Sequence, residues 1–283
     1  MKRIKLILVC GLVLALAGLT TLLVAAGAPR GTKATVRSVV GDVTYQAEGS
    51  GPFLPLRVNQ ELTEKTVLKS GPGANAYLQV NGFTSTVRLA ESTTVTLATM
   101  TATGPGLAAD TSTDLKLDGG SLLGSVRKLS ANSDYKVSVP NGVAGIRGTD
   151  FQVSVNIQAN GTITIVFTSV TGTVFCQVNP PAGSTAAAAS RTLTTGQSWT
   201  VTGTATVTAT GTTYTTSPLV PVVNLTPAEN AALQTAITSV INIGLGGGAT
   251  PGGGGRGGPP APPPPVAPVA PTTNPSDTGG NGP

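Results

Sequence analysis

Phe151-Gln152-Val153-Ser154-Val155, the step Asn160-Gly161 and then Thr162-Ile163-Thr164-Ile165-Val166 form the stretch that decides the fold. The first run and the start of the second alternate apolar with polar residues, the period-two pattern of a strand with one buried and one wet face. The Asn-Gly step between them suits a type I′ turn, whose two central residues need positive φ, so the stretch predicts an antiparallel hairpin. The pattern spreads in both directions. Val137 and Val139 flank Ser138, while Val201, Ala205 and Val207 alternate with threonines. Asn-Gly steps recur at Asn81-Gly82 and Asn141-Gly142, and Asp118-Gly119-Gly120, between Leu115-Lys116-Leu117 and Leu122-Leu123, predicts a further tight turn. Apolar or threonine-rich runs broken roughly every ten residues by Gly, Asn, Asp or Pro mark consecutive β-strands. The expectation is an all-β domain over 34–217, its short strands wound as a solenoid-like or sandwich arrangement.

The flanks read differently. Lys2, Arg3 and Lys5 precede an apolar run from Leu6 to Val24 that ends in Ala25, Ala26, Gly27 and Ala28. Charge, then apolar core, then small residues is the layout of a secretory signal peptide, expected over 1–26 with cleavage after Ala26. The run is also about as long as a bilayer-spanning helix, so an uncleaved N-terminal anchor is the alternative. At the other end, Thr226 followed by Pro227 and Glu229 is a capping box with proline at the first helical position, and predicts one helix over 226–243. Leu233, Ile237, Val240 and Ile241 share one face of it, and Gly244 stops it. From 246 to 283 glycine-rich sequence gives way to proline-rich sequence, including Pro262-Pro263-Pro264-Pro265. A disordered tail is expected there, because such a composition buries too little apolar surface to offset its ordering entropy. The Pro180–Ser190 segment, with four consecutive alanines, is expected as an exposed excursion between strands, and the threonine-rich 192–216 stretch as the last strands.

Composition limits the chemistry. The chain of 283 residues carries a net charge of +5, yet removal of Lys2, Arg3 and Lys5 leaves fourteen Lys/Arg against twelve Asp/Glu, or +2. Scattered charge of that size, without a basic patch interleaved with aromatics, is no footprint for nucleic acid. There is no histidine. That removes the commonest neutral-pH base, the middle member of hydrolase triads and the commonest zinc ligand. A Ser–Lys pair drawn from Ser121, Ser125, Lys128 and Lys136 is one remaining source of catalysis, and a carboxylate pair drawn from Asp110, Asp114, Asp118 and Asp150 is another; none of these sits in a recognisable motif. The four-residue repeat of Asp110, Asp114 and Asp118 lacks the spacing and the bidentate glutamate of a calcium loop. The reading is therefore no catalytic residue, no metal and no cofactor. With Cys10 in the signal, Cys176 stands alone and reads as a small buried apolar residue.

Val137-Ser138-Val139-Pro140-Asn141-Gly142-Val143-Ala144-Gly145-Ile146-Arg147-Gly148-Thr149-Asp150-Phe151 resembles the signature of the FecR domain family, a proline-containing turn followed by an apolar-Arg-Gly-Thr-x-Phe run. Upstream segments agree, among them Leu68-Lys69-Ser70-Gly71, Ala76-Tyr77-Leu78-Gln79-Val80-Asn81-Gly82 and Leu115-Lys116-Leu117-Asp118-Gly119-Gly120. The resemblance spans residues 34–155. Val139 before Pro140, where threonine is usual, is a small departure.

Within the motif Gly148 permits positive φ or a bulge, Thr149 bonds the backbone it turns from, and Phe151 returns to the core. Arg147 either spreads its donors over nearby carbonyls to hold the turn or meets an anionic ligand or partner. Arg147, Gly148, Thr149 and Phe151 are thus read as fold-holding, and the binding residues stay unidentified. The best-known FecR-type proteins relay occupancy of an outer-membrane siderophore receptor to a cytoplasmic sigma factor through an N-terminal anti-sigma region. Only five residues precede the apolar run here, so that role does not carry over. The expectation is an exported, non-catalytic binding module of the bacterial envelope, periplasmic or extracellular, whose partner is an envelope protein or polymer and which touches membrane only if the N-terminal segment is uncleaved. The alternative is an accessory of envelope signalling.

Overall fold

The computed structural model describes residues 28–82, 84–104, 109–180, 188–208, 211–216 and 221–244. The expected signal peptide, the 246–283 tail and most of the alanine-rich excursion lie outside them. The described chain is all-β with one C-terminal helix. Its strands are β1 (Arg30–Gly31), β2 (Ala34–Val40), β3 (Val43–Gln46), β4 (Leu54–Pro55), β5 (Glu61–Leu62), β6 (Val67–Ser70), β7 (Asn75–Val80), β8 (Ser85–Leu89), β9 (Thr94–Thr103), β10 (Asp110–Val126), β11 (Asp134–Val139), β12 (Gly142–Ile146), β13 (Asp150–Ile157), β14 (Thr162–Thr171), β15 (Val174–Val178), β16 (Ala189–Leu193), β17 (Gln197–Thr208), β18 (Gly211–Thr216) and β19 (Val223–Asn224). The helix is α1 (Pro227–Gly244).

Pairing sorts the strands into two sheets. The first runs β4-β3-β6-β9-β10-β11-β12-β15-β16, with β1 beside the far end of β9. The second runs β5-β2-β7-β8-β10-β13-β14-β17-β18. All these pairs are antiparallel except β10–β11. β10 belongs to both sheets: Ser112–Lys116 pair with β11, and Gly120–Ser125 pair with β13. Asp118-Gly119-Gly120 is therefore not the tight turn expected from the sequence. It is a bend inside one long strand, where a register shift between Leu117 and Gly119 and a φ of 90° at Gly120 carry the chain from one sheet to the other.

Inward-facing residues of both sheets meet in one core, including Leu68, Leu97, Leu115, Val137 and Val174 from the first sheet and Leu78, Leu122, Phe151, Phe167 and Trp199 from the second. Phe167 and Trp199 stack with centroids 5.9 Å apart. Cys176 is fully buried in this core and its thiol is pushed well above its ordinary range by burial. The Phe151–Val166 stretch forms the β13–β14 hairpin, Ile157 opposite Ile163. Its turn differs from expectation, because only Gly161, at φ 82°, is left-handed while Asn160 is not. The Gly161 amide donates to the Gln158 carbonyl at 2.9 Å, and the single positive-φ glycine closes a bulged turn of the type I family. In the expected excursion, Ala189 and Ser190 already belong to β16, bonded to Val178 and Gln177 of β15.

α1 begins at its capping box: the Thr226 amide donates to Glu229 Oε2 at 2.8 Å, and the Glu229 amide donates to Thr226 Oγ1 at 3.2 Å. The Leu225 amide ties this entry to the Gly196 carbonyl at 2.7 Å. Leu233, Ile237 and Val240 then seat on Tyr77, Leu123 and Val170 and cover the outer face of the second sheet. The outer face of the first sheet has no helix over it among the described residues.

Candidate functional site: a basic corner between the sheets

The chain crosses between the sheets at short corners, and those after β10 gather along one edge of the sandwich. One is the loop 127–133, another is Arg147-Gly148-Thr149 between β12 and β13, and a third is Gly172-Thr173 between β14 and β15. Thr149 ties them together. Its buried hydroxyl donates to the Thr173 carbonyl at 2.8 Å and accepts from the Thr173 amide at 3.2 Å, while its own carbonyl accepts from the Val126 amide at 3.0 Å. One corner residue thus bonds backbone groups of the Gly172-Thr173 corner and of the end of β10. Gly148 sits at φ 62° with its α-carbon against loop 127–133; a Cβ would lie 3.2 Å from Lys128 Cα. Phe151 returns to the core, fully buried, 6.2 Å from the Tyr135 ring and so close to β10 that a Cβ at Gly124 would fall 2.6 Å from its ring.

Arg147 behaves differently from its neighbours in the motif. Its side chain is exposed and reaches one carbonyl, that of Ser130 at 3.0 Å, rather than several. Arg127 and Lys128 are exposed in the adjoining loop. None of the three ion pairs among the described residues involves these three cations. The nearby carboxylate of Asp110 accepts from Ser130 Oγ at 2.5 Å and Asn132 Nδ2 at 3.1 Å, and these bonds hold it below the ordinary carboxylate range. The corner thus carries three exposed positive side chains, Arg127, Lys128 and Arg147.

The other candidates are dispersed. Asp114 accepts from Ser138 Oγ at 2.8 Å, Asp118 pairs with Lys116 at 3.0 Å, and Asp150 accepts from Thr171 Oγ1 at 2.6 Å. Lys136 is committed to Asp134 at 2.5 Å on the first sheet, whereas Ser121 and Ser125 lie in the half of β10 that belongs to the second. Among the described residues no group of three His, Cys, Asp or Glu is arranged to hold a metal ion. No helix of the described residues is long and apolar enough to cross a membrane. Sequence reasoning passed over Ser130, Thr173 and Arg127, whose roles depend on corners brought together from distant parts of the chain. The adjacent pair Arg127-Lys128 was the one local signal.

Comparisons with known proteins cover part of the chain. No curated protein matches the chain. Among solved structures, two crystal structures of a candidate anti-sigma factor from Parabacteroides distasonis ATCC 8503 are similar at 12% and 13% identity, both with a TM-score of 0.38 and both over 59% of this chain. The similarity spans 64% and 63% of those chains, just under two thirds of their length. The family model described as FecR protein matches residues 77–175, a window that starts later and ends later than the 34–155 resemblance and runs from within β7 to within β15, with the whole Thr149 corner inside it. Residues 77–175 of this chain are a FecR domain.

Proposed function

We propose that the protein is an exported, non-catalytic binding module of the bacterial envelope, and that it engages an anionic envelope protein or polymer through Arg127, Lys128 and Arg147. The observation that carries this reading is the division of labour at the corner. Thr149, Gly148 and Phe151 are consumed by the fold, while Arg147 in the same motif points outward with most of its donors unspent. A guanidinium kept exposed beside two further cations on a rigid corner loses little entropy on binding a carboxylate or phosphate. Support for the envelope comes from the FecR domain and from the signal-like N-terminus.

The test is capture of an epitope-tagged protein from cross-linked envelopes, wild type against Arg127→Ala/Lys128→Ala/Arg147→Ala, with the mature N-terminus read by mass spectrometry in the same sample. A start at Gly27, enrichment of an envelope component and a loss of at least tenfold in the triple variant support the proposal. Undiminished capture by a folded triple variant overturns the corner as the binding site. The FecR domain also favours a second reading, an accessory of envelope signalling; an intact N-terminus with a membrane signalling protein in the eluate would select it.

A further inference from the structure

A sheet edge presents unpaired N–H and C=O groups, and proteins blunt such edges with short strands, proline, charge or a bulge. Among the described residues six strands pair with a single neighbour, and five of them carry these devices; β1 and β19 are each two residues long. β4 is two residues long and includes Pro55, with Pro52 just before it. β5 is two residues long and its Glu61 pairs with Lys33, while beside it β2 is bulged between Val36 and Ser38 with Arg37 at the bulge. β16 carries Arg191, whose guanidinium lies 5.7 Å from the Trp199 ring.

The sixth, β18, has none of them within the strand, and Pro218 follows two residues after it. It is six residues of Gly-Thr-Thr-Tyr-Thr-Thr without charge or proline, and no charged side chain occurs anywhere between Arg191 and Glu229. Among the described residues β18 pairs with β17 alone. The β17–β18 ribbon also outruns its support, since pairing of β17 with β14 ends at Thr204 while its pairing with β18 continues to Thr208. An isolated two-stranded ribbon is marginal in water and gains from added strands.

We infer that β18 is an interaction edge and that its occupant is β18 of a second copy of this chain. Identical edges meet antiparallel about a twofold axis, and one such contact satisfies both free edges at once and turns two ribbons into a four-stranded sheet. The β18 sequence contains only threonine, tyrosine and glycine, so two copies bring no like charges together. This inference is independent of the basic corner, which lies on other elements.

The test takes the full mature chain. Light scattering behind size exclusion reads twice the monomer mass for wild type at about 100 µM, and hydrogen exchange of residues 211–216 slows as concentration rises. The variant Thr213→Lys/Thr215→Lys reads a single-chain mass with an unchanged circular dichroism melt. A wild-type monomer at that concentration, a folded lysine variant that still dimerises, or exchange at 211–216 independent of concentration would each overturn the inference. The exchange measurement needs no variant and stands even where the lysines impair folding.

Discussion

Replacing Gly120 by alanine tests the idea that one bend in β10 joins the two sheets. Gly120 holds φ 90°, and a Cβ there would lie 2.7 Å from the Ser92 carbonyl oxygen and closer still to the backbone and hydroxyl of Thr93. Two costs follow. The backbone conformation costs about 1–3 kcal/mol for a residue with a Cβ. Forcing Ser92 and Thr93 aside costs about 1–3 kcal/mol more, and it loosens the bond from the Ser121 amide to Thr93 Oγ1, now 3.0 Å. Gly120→Ala should therefore destabilise by about 2–6 kcal/mol, or roughly 5–20 °C in Tm. Gly119 is the internal control. Its φ is not positive and no atom lies within 4 Å of where a Cβ would stand, so Gly119→Ala should be neutral or stabilise by about 0.5 kcal/mol. Urea denaturation of both variants followed at Trp199 is the assay. Equal effects at the two positions, or a Gly120→Ala loss below about 1 kcal/mol, would refute the bend as a sheet-joining corner.

Thr149→Val keeps the shape but strips the hydroxyl that serves both the amide and the carbonyl of Thr173; a loss of about 2 kcal/mol in denaturant unfolding is expected, against under about 1 kcal/mol for Arg147→Ala, whose exposed side chain makes one bond. Burial raises the Cys176 thiol above its ordinary 9.0 and the Tyr135 phenol above its ordinary 10.0. Both groups stay neutral in the folded chain while the unfolded chain ionises them. Stability should accordingly be full below about pH 9 and fall as pH rises beyond it. Melts from pH 8 to 11 check this, and Cys176→Ala should move the onset upward; the Cys176 thiol should react with a thiol reagent only after unfolding. Ile237→Ala, which removes the middle of the three buried α1 contacts, should cost about 2–4 kcal/mol and speed amide exchange across α1 and over Tyr77 and Leu123.

Local signals reported local structure well. The alternation around Ser138 and Ser154 put Val137, Val139, Val153 and Val155 on the buried side, because side-chain direction in a strand repeats every two residues whatever it pairs with. Thr226, Pro227 and Glu229 marked the start of α1, since a capping box closes within four residues and needs no tertiary partner. The RGT-x-F run lies inside the 77–175 stretch that the FecR family model matches.

The sheet to which each strand belongs was not written locally. Asp118-Gly119-Gly120 reads as a turn from sequence, and only the packing of Ser92 and Thr93 against Gly120 makes it a bend within one strand shared by two sheets. The basic corner likewise exists because Thr149 bonds Thr173 and Val126 across separations of more than twenty residues, which sets Arg147 beside the Arg127-Lys128 loop. Sequence determined which residues turn inward and where the helix begins, because backbone geometry and capping act over two to four residues. The tertiary structure alone decided which corners meet, which cations stay exposed and which edge has a single partner among the described residues, because those depend on hydrogen bonds between residues far apart in the chain.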